Sequence, residues 1–480
     1  MDELKQVGDP ELRGPAARVK RINRATREAL ALMAEAMGAS GGVGLAAPQL
    51  GLDRRLVVVD VGQGLVQLVN PELTRLEGTV TAWEGCLSIP GLTGLVTRHE
   101  KVAVRALDGR GHRVWVEGED LLARALQHEI DHLDGVLFLD RAEAFEYAGA
   151  ETAEGEERPP RRGGPPGPTP PVPVRDLRIV FMGTPAFALP TLTALSEGPY
   201  RVVGVVVQPD RPAGRGGRIT PAPVKEYALS RGLPVLQPAR VGESLDQLAT
   251  WKPDLIITVA FGQLLPGDLL ALPTRGCVNL HASLLPRHRG AAPIQHAILQ
   301  GDPVTGITAF YLDEGMDTGD IILRRQIAVR PADTYGSLHD HLAVLGAGLV
   351  EETVRLIARG IVPRLAQDEL GATRAPRLTA ADERLGWQLP AVQLARRVRA
   401  LAPRPGAYTA HDGRRLKVWQ ARADTGSGRP GEVVAVEPDG IRIGTGEGNL
   451  VLEIVQPEGG RSMAAAEYAR GRHLNPGALL

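Results

Sequence analysis

The stretch Leu121-Leu122-Ala123-Arg124-Ala125-Leu126-Gln127-His128-Glu129-Ile130-Asp131-His132 decides how the first part of the chain is read. Its apolar spacing predicts a helix, with Gly118-Glu119-Asp120 before it as an acidic start. At 3.6 residues per turn, Leu121, Ala125, His128 and His132 fall on one narrow stripe, and Glu129 lies on the next. Two imidazoles one turn apart can hold one metal ion, with the carboxylate beside its open coordination position. A helix with two half-buried histidines and a surface glutamate is the plainer alternative. It loses ground because the whole spacing rarely arises by chance and a third ligand can be found. The residues point to a metalloenzyme.

The third ligand sets the class. A metzincin would follow Gly135 with a histidine at position 138, where this chain has Phe138. The chain has two cysteines, Cys86 and Cys277. Cys86 stands in Trp83-Glu84-Gly85-Cys86-Leu87-Ser88-Ile89-Pro90, a short segment that turns at Gly85. A Cys-His-His set leaves the fourth tetrahedral position to water, which is the arrangement of a catalytic rather than a structural site.

A chain of 480 residues exceeds one ordinary core, so two or more domains are expected. The formal net charge of −1 predicts no partner for the chain as a whole, and any nucleic-acid contact must be a local patch. Two cysteines in this length argue against a disulfide framework and for a reducing compartment. No apolar run is long enough to cross a bilayer, and the N-terminus lacks the regions of a signal peptide. The expectation is a cytoplasmic protein with neither a membrane nor DNA as partner.

From Met1 to about Gly149 the chain reads as one unit. A helix is expected over Asn23 to Met37, then strands around Leu56 to Val61, Gly64 to Asn70 and Lys101 to Leu107. Between them stands Gly41-Gly42-Val43-Gly44-Leu45-Ala46-Ala47-Pro48-Gln49, which lacks the Gly-Lys-Ser/Thr ending of a phosphate loop. A loop packed under the helix accounts for its glycines but not for Gln49. The three blocks Gly42 to Gln49, Glu84 to Ser88 and His128 to His132, in this order, resemble peptide deformylase, an α+β fold, over about Gly8 to Arg141. The resemblance implies removal of the formyl group from N-formylmethionyl nascent peptides near the ribosome exit, usually with ferrous iron. It makes Cys86, His128 and His132 the metal ligands and Glu129 the general acid/base. Gln49 and the backbone N–H of Leu87 are the candidate oxyanion donors. The soft donor set does not separate zinc or another divalent metal from iron. Leu121 and Ala125 either line a pocket for the methionine side chain or are plain core.

At Glu151 the composition changes. A charged run without an apolar face leads into Pro159 to Pro171, rich in proline and glycine, and residues 150–174 are expected to be a linker, part disordered and part polyproline-like. A flexible link suggests that joining the two parts serves co-expression rather than channelling.

A second unit starts at about residue 175. Strands at Leu177 to Met182, Arg201 to Gln208, Asp254 to Ala260 and Gly276 to Leu280 alternate with helices. That pattern predicts an open, largely parallel, doubly wound α/β sheet with its ligand at the C-terminal strand ends. No dinucleotide fingerprint is present. At one strand end, Asn279-Leu280-His281-Ala282-Ser283-Leu284-Leu285-Pro286 places Asn279 and His281 on one side. Downstream, Asp313 to Asp320 forms a carboxylate-rich turn. Singly, a strand-end Asn or His and an Asp-Thr-Gly turn are ordinary features.

Together they resemble the folate-dependent formyltransferases. The resemblance implies 10-formyltetrahydrofolate as donor, Asn279, His281 and Asp317 as the catalytic trio, and Ser283, Leu284, Leu285 and Pro286 as a folate-binding segment. Phe181 to Pro185, Gln208 to Gly216 and Arg287 to Gln295 narrow the likeness, over Asp176 to Leu480, to methionyl-tRNA formyltransferase, with initiator methionyl-tRNA as acceptor. The loop carrying Arg211, Arg215 and Arg218, with Lys225 beyond, suits contact with RNA phosphates. Residues 175–363 are read as this catalytic domain, 364–382 as a connecting segment and 383–480 as a small OB-like β-barrel. The arginines Arg396, Arg397 and Arg399 of that last unit are consistent with tRNA contacts. Cys277 is read as a buried apolar filler.

Rival readings stay open at this point. The first unit is then a metalloprotease or an inactive metal-binding module. The second transfers formyl to a sugar nucleotide or to glycinamide ribonucleotide, or binds RNA without catalysis.

Overall fold

Helix Asp120–Leu133 buries Ala123, Ala125, Leu126, Ile130 and Leu133 against Val57, Val59, Leu68, Val102 and Val104. These partners belong to an antiparallel five-stranded sheet in the order Gly44–Ala46, Leu56–Val59, Val66–Glu77, Lys101–Leu107 and Arg113–Glu119. Lys101–Leu107 alternates outward and inward residues, as a sheet with one covered face requires. A second sheet of Val80–Cys86, Ile89–Arg98 and Ala144–Tyr147 carries Cys86 at the end of its first strand. Helix Arg24–Ala39 begins at Asn23, whose side chain accepts from the N–H of Thr26. This computed structural model describes residues 4–147, 169–213 and 218–480, with backbone only at 211–213, 218 and 219.

The second unit is a seven-stranded sheet in the order Val235–Leu236, Arg201–Val206, Arg178–Gly183, Leu255–Val259, Cys277–His281, Val304–Tyr311 and Ile321–Ala328. The first five strands run parallel, and the last two are antiparallel. Strand Leu255–Val259 is buried along its whole length, as expected of a strand covered on both faces. The antiparallel pair at the edge was not foreseen from the sequence pattern.

The last unit is an antiparallel sheet in the order Ala407–His411, Arg414–Asp424, Asn449–Pro457, Gly440–Gly444 and Val433–Glu437, with Met463–Ala464 beside Asn449–Pro457. Bulges bend the long strand Arg414–Asp424 where it pairs with Asn449–Pro457. The sheet shares a core with helices Ala391–Leu401 and Ala465–Gly471, a layout in keeping with the small β unit expected.

Of the expected linker, residues 150–174, those up to 168 lie outside the described residues, and its end packs on the second unit. Arg275 donates to Thr169 Oγ1 and to the Pro170 carbonyl, and the N–H of Val172 donates to the carbonyl of Ala358. Nor is the first unit independent of the second. Leu12, Ile89, Leu92, Phe138 and Leu139 join Ile322, Leu349 and Leu356 in one apolar cluster. Arg13 Nε donates to Glu352 Oε1 at 2.7 Å, Arg325 pairs with Asp9, and Tyr147 donates to the carbonyl of Ile322. The backbones of Gly8 and Gly348 touch so closely that a Cβ on Gly348 would stand 2.1 Å from the Gly8 carbonyl oxygen.

Residues 364–382 do more than connect. Leu365 pairs with Ile321, and Gln367 is buried with its Nε2 donating to the carbonyls of Asp317 and Gly319. The N–H of His288 donates to Thr373 Oγ1. The segment therefore buttresses the loops of the second unit.

Two candidate active sites

The turn that brings Cys86 under the histidine helix assembles the first site. Cys86 Sγ stands 3.2 Å from His132 Nε2, and the ligand atoms of Cys86, His128 and His132 all lie within 4.8 Å of one another. The two imidazoles meet edge to face, with centroids 5.0 Å apart. Phe138, at the position where a metzincin has a histidine, is buried with its ring 6.4 Å from that of His128. A thiolate and two imidazoles at this spacing are the donor set of a divalent transition metal, so the residues fit such an ion.

The surroundings fix these donors. Glu84 Oε1 lies 3.2 Å from His128 Nδ1, which leaves Nε2 to face the cluster. Glu84 is itself held by Arg98 at 2.6 and 3.0 Å and by Arg124 at 2.9 Å. Arg98 continues to Asp131 at 2.6 Å, and Arg141 grips both oxygens of Asp131. Burial alone would raise the Glu84 pKa; the bonds from His128 and Arg98 outweigh it and hold the carboxylate well below its ordinary value. None of this pairing was read from the sequence. Glu84 and Asp131 stood inside the quoted motifs, whereas Arg98 carried no local signal.

Glu129 is buried, and its Oε2 has no hydrogen-bond partner among the described residues. Burial pushes this carboxyl up to about 7; a cation beside it would pull the value down. Gly44 makes room for it, since a Cβ there would stand 2.4 Å from Glu129 Oε1. Gln49 Oε1 accepts from the N–H of Ala46 at 2.8 Å, which turns Nε2 toward Ser88 Oγ at 3.2 Å and Cys86 Sγ at 3.6 Å. A cavity of about 790 Å3 opens from Cys86, His128 and Glu129, with Gln49 and Leu87 on its wall. Leu121 and Ala125 also line it, Ala125 while packed in the core beneath.

The second site lies at the C-terminal end of Cys277–His281, and Asn279, His281 and Asp317 share one cavity of about 410 Å3. Thr258 Oγ1 donates to Asn279 Oδ1 at 2.7 Å, so the amide nitrogen is left for the cavity. His281 Nε2 is 2.8 Å from the carbonyl of His288, and Nδ1 is 3.6 Å from Asp317 Oδ2. That carboxylate accepts from the N–H of Gly290 at 2.8 Å. Leu264 and Met316, both largely exposed, also line this cavity. Thr258, Gly290 and Gln367 were not anticipated, because they reach the site from other strands and loops.

Ser283, Leu284, Leu285 and Pro286 are not brought to this cavity. Ser283 and Leu285 are fully buried: Ser283 Oγ donates to the carbonyl of Arg287, and Thr308 Oγ1 bonds both the Ser283 carbonyl and the Leu285 N–H. These bonds stiffen the strand end beside the cavity. Arg211–Ala213 pairs with Arg218–Thr220 in a two-stranded hairpin; the side chains of Arg211 and Arg218, and all of Arg215, lie outside the described residues. Lys225 is committed to Asp210 rather than free. Arg396 and Arg399 bond the carbonyls of Gln300 and Asp333, so they dock the last unit on the second and are not simply offered to RNA. Cys277 is buried, with its thiol pKa raised by burial.

The polypeptide deformylase family profile matches residues 1–147, the formyl transferase profile 177–354 and the formyl transferase C-terminal domain profile 377–473. Methionyl-tRNA formyltransferase of Moorella thermoacetica is 47% identical over 308 residues, 63% of this chain and 99% of the relative. That of Myxococcus xanthus is 49% identical over 302 residues, 62% of this chain and 96% of the relative. A solved peptide deformylase from Thermotoga maritima is 40% identical, covering 30% of this chain and 98% of its own, with a TM-score of 0.29. No helix among the described residues is long and apolar enough to cross a membrane.

Proposed function

Because the chain belongs to the methionyl-tRNA formyltransferase family and begins with a peptide deformylase domain, we propose that one polypeptide adds the formyl group to initiator methionyl-tRNA and removes it from N-formylmethionyl nascent peptides. The observation that carries the deformylase half is the convergence of Cys86, His128 and His132 within 4.8 Å beside a buried Glu129 whose Oε2 has no hydrogen-bond partner among the described residues. A metalloprotease finds no third histidine here, since Phe138 packs where it would stand.

For deformylation, Cys86, His128 and His132 hold the ion, ferrous iron or another divalent metal. When bound, the metal acidifies a water and polarises the formyl oxygen. Glu129 takes the water's proton and later delivers it to the leaving amine. Gln49 Nε2 and the Leu87 N–H donate to the charge developing on the formyl oxygen. Glu84 keeps His128 in the tautomer that presents Nε2 to the metal.

For formyl transfer, the methionyl amine forms a bond to the formyl carbon of 10-formyltetrahydrofolate as the bond to the donor nitrogen breaks. Asn279, aimed by Thr258, donates to the formyl oxygen, with His281 beside it on the same strand. Asp317 faces His281 Nδ1 and helps move the amine proton toward the departing donor nitrogen. The exposed Leu264 and Met316 offer apolar surface at the mouth for the flat rings of the folate. Arg211, Arg215 and Arg218 contact the tRNA. The units 1–149, 175–363 and 383–480 are part of the same reading, as is a place in the cytoplasm, where both substrates arise. The ribosome acts between the two reactions, so joining them does not channel a product.

The test assays the intact chain for formylation of methionyl-tRNA and for deformylation of formyl-methionyl peptides. Glu129→Ala is expected to abolish only the second and His281→Ala only the first; loss of both in either variant contradicts two separate sites. Release of internal peptide products would favour a protease instead.

A further inference from the structure

The cavity of the first site does not end within the first unit. From Cys86 and Glu129 it runs outward to Val304 and to Gln326, Ile327 and Ala328, which belong to the formyltransferase sheet. Ile321–Ala328 is the last strand of that sheet, paired with Val304–Tyr311 on its inner side and, at Ile321 alone, bridged to Leu365. Its outer side faces the deformylase unit: the Ile322 carbonyl accepts from Tyr147, and the Gln326 N–H donates to Gln6 Oε1 at 3.3 Å. Strand alternation turns the N–H and C=O of Ala328 to that same outer edge. The neighbouring Val329 N–H points inward to the carbonyl of Pro303, as alternation requires.

The mouth is also apolar in an unusual way. Val43, Trp83, Leu121 and Val304 all line the cavity, yet each is more than a third exposed, Val304 at 43%. Three come from the deformylase unit and one from the formyltransferase unit. Clustered exposed apolar side chains around a cleft mark a surface that meets a partner. The contacts Arg13–Glu352, Arg325–Asp9 and Gly8–Gly348 fix the edge strand against the cleft.

We infer that the edge of the formyltransferase sheet, at Val304 and Gln326 to Ala328, forms the outer wall of the deformylase cleft and contacts the residues that follow the formyl-methionine of the substrate peptide. An extended peptide advances about 3.3 Å per residue. With its methionine beside Leu121 and Ala125, the residues that follow run along the same cavity toward this wall, where the outward-facing edge at Ala328 can meet a peptide main chain. The inference rests on the deformylase reading above. It makes one domain a specificity surface for the other's substrate.

The test uses the full chain and peptides formyl-Met-Ala-Xaa-Ala with Xaa lysine or glutamate, at low salt so that surface charge is little screened. The measured quantity is the ratio of kcat/KM for the lysine peptide to that for the glutamate peptide. Val304→Glu is expected to raise this ratio at least threefold over the parent and Val304→Lys to lower it at least threefold. Ala328→Glu and Ala328→Lys, opposite Val304 in the strand register, provide a second pair with the same signs should the first fold poorly. A ratio unchanged within twofold in the folded variants overturns the inference while leaving deformylation intact. Failure of the parent chain to deformylate any of these peptides overturns the deformylase reading itself.

Discussion

The two sites in this chain solve the same problem, placing donors around a formyl carbon, with different amounts of local sequence. The candidate metal site takes two of its three ligand side chains and the buried Glu129 carboxylate from five consecutive residues of one helix, His128 to His132. The transfer site takes Asn279 and His281 from a strand, Gly290 and Asp317 from two loops and Gln367 from a segment beyond the long helix Tyr335–Arg359. A helix supplies fixed spacing, so one face dictates the geometry; a strand end supplies only direction, and loops must complete it. The first site should therefore fail sharply at single residues, and the second should also be sensitive to residues that merely hold loops.

The largest expected effect is at Glu129. Glu129→Gln keeps the shape but removes the proton carrier, and deformylation should fall by about 100- to 10,000-fold with formyl transfer unchanged; kcat measured on a formyl-methionyl peptide decides it. Next, Asn279→Ala removes one donor to the formyl oxygen and should lower transfer by about 100- to 1,000-fold without altering deformylation, read as kcat on methionyl-tRNA. Glu84→Gln loosens the orientation of His128 and should weaken metal affinity by about 10- to 100-fold, as competition with a chelator would reveal. The smallest effect is at Gln367, where Gln367→Ala leaves the buried carbonyls of Asp317 and Gly319 unpaired. A cost of about 1–3 kcal/mol to the stability of the second unit is expected, seen in denaturant unfolding. Gln367 supports the transfer site alone, so deformylation should not change. If Gln367→Ala slowed deformylation instead, the contrast between the sites would collapse.

The same contrast explains what could be read in advance. His128, Glu129 and His132 were legible because helical periodicity converts spacing into a shared face, and Cys86, Gln49 and Asn279 because they sit in compact motifs. The parallel core strands were legible from apolar runs such as Leu255–Val259. Arg98 and Thr258 were not, because each meets its partner across a sheet or between elements distant in sequence. The folate segment Ser283 to Pro286 was assigned contact from its motif alone, and only the bonds to Arg287 and Thr308 show it turned inward. Least legible was the docking of the two catalytic units. Arg13 and Glu352 are ordinary charges in sequence, and Gly8 and Gly348 ordinary glycines; their complementarity exists only once both units are folded. The proline-rich stretch suggested independence, but the chain on either side of it is packed.

The central claim is that two chemically separate sites act within one joined molecule, and metal removal tests it most directly. The intact chain is stripped with a chelator, assayed for both reactions, then reloaded with ferrous iron or zinc while bound metal is counted. Stripping should abolish deformylation and leave formyl transfer at its starting rate, and deformylation should return as one metal binds per chain. Deformylation that persists without metal, or formyl transfer lost and regained with it, would contradict the account.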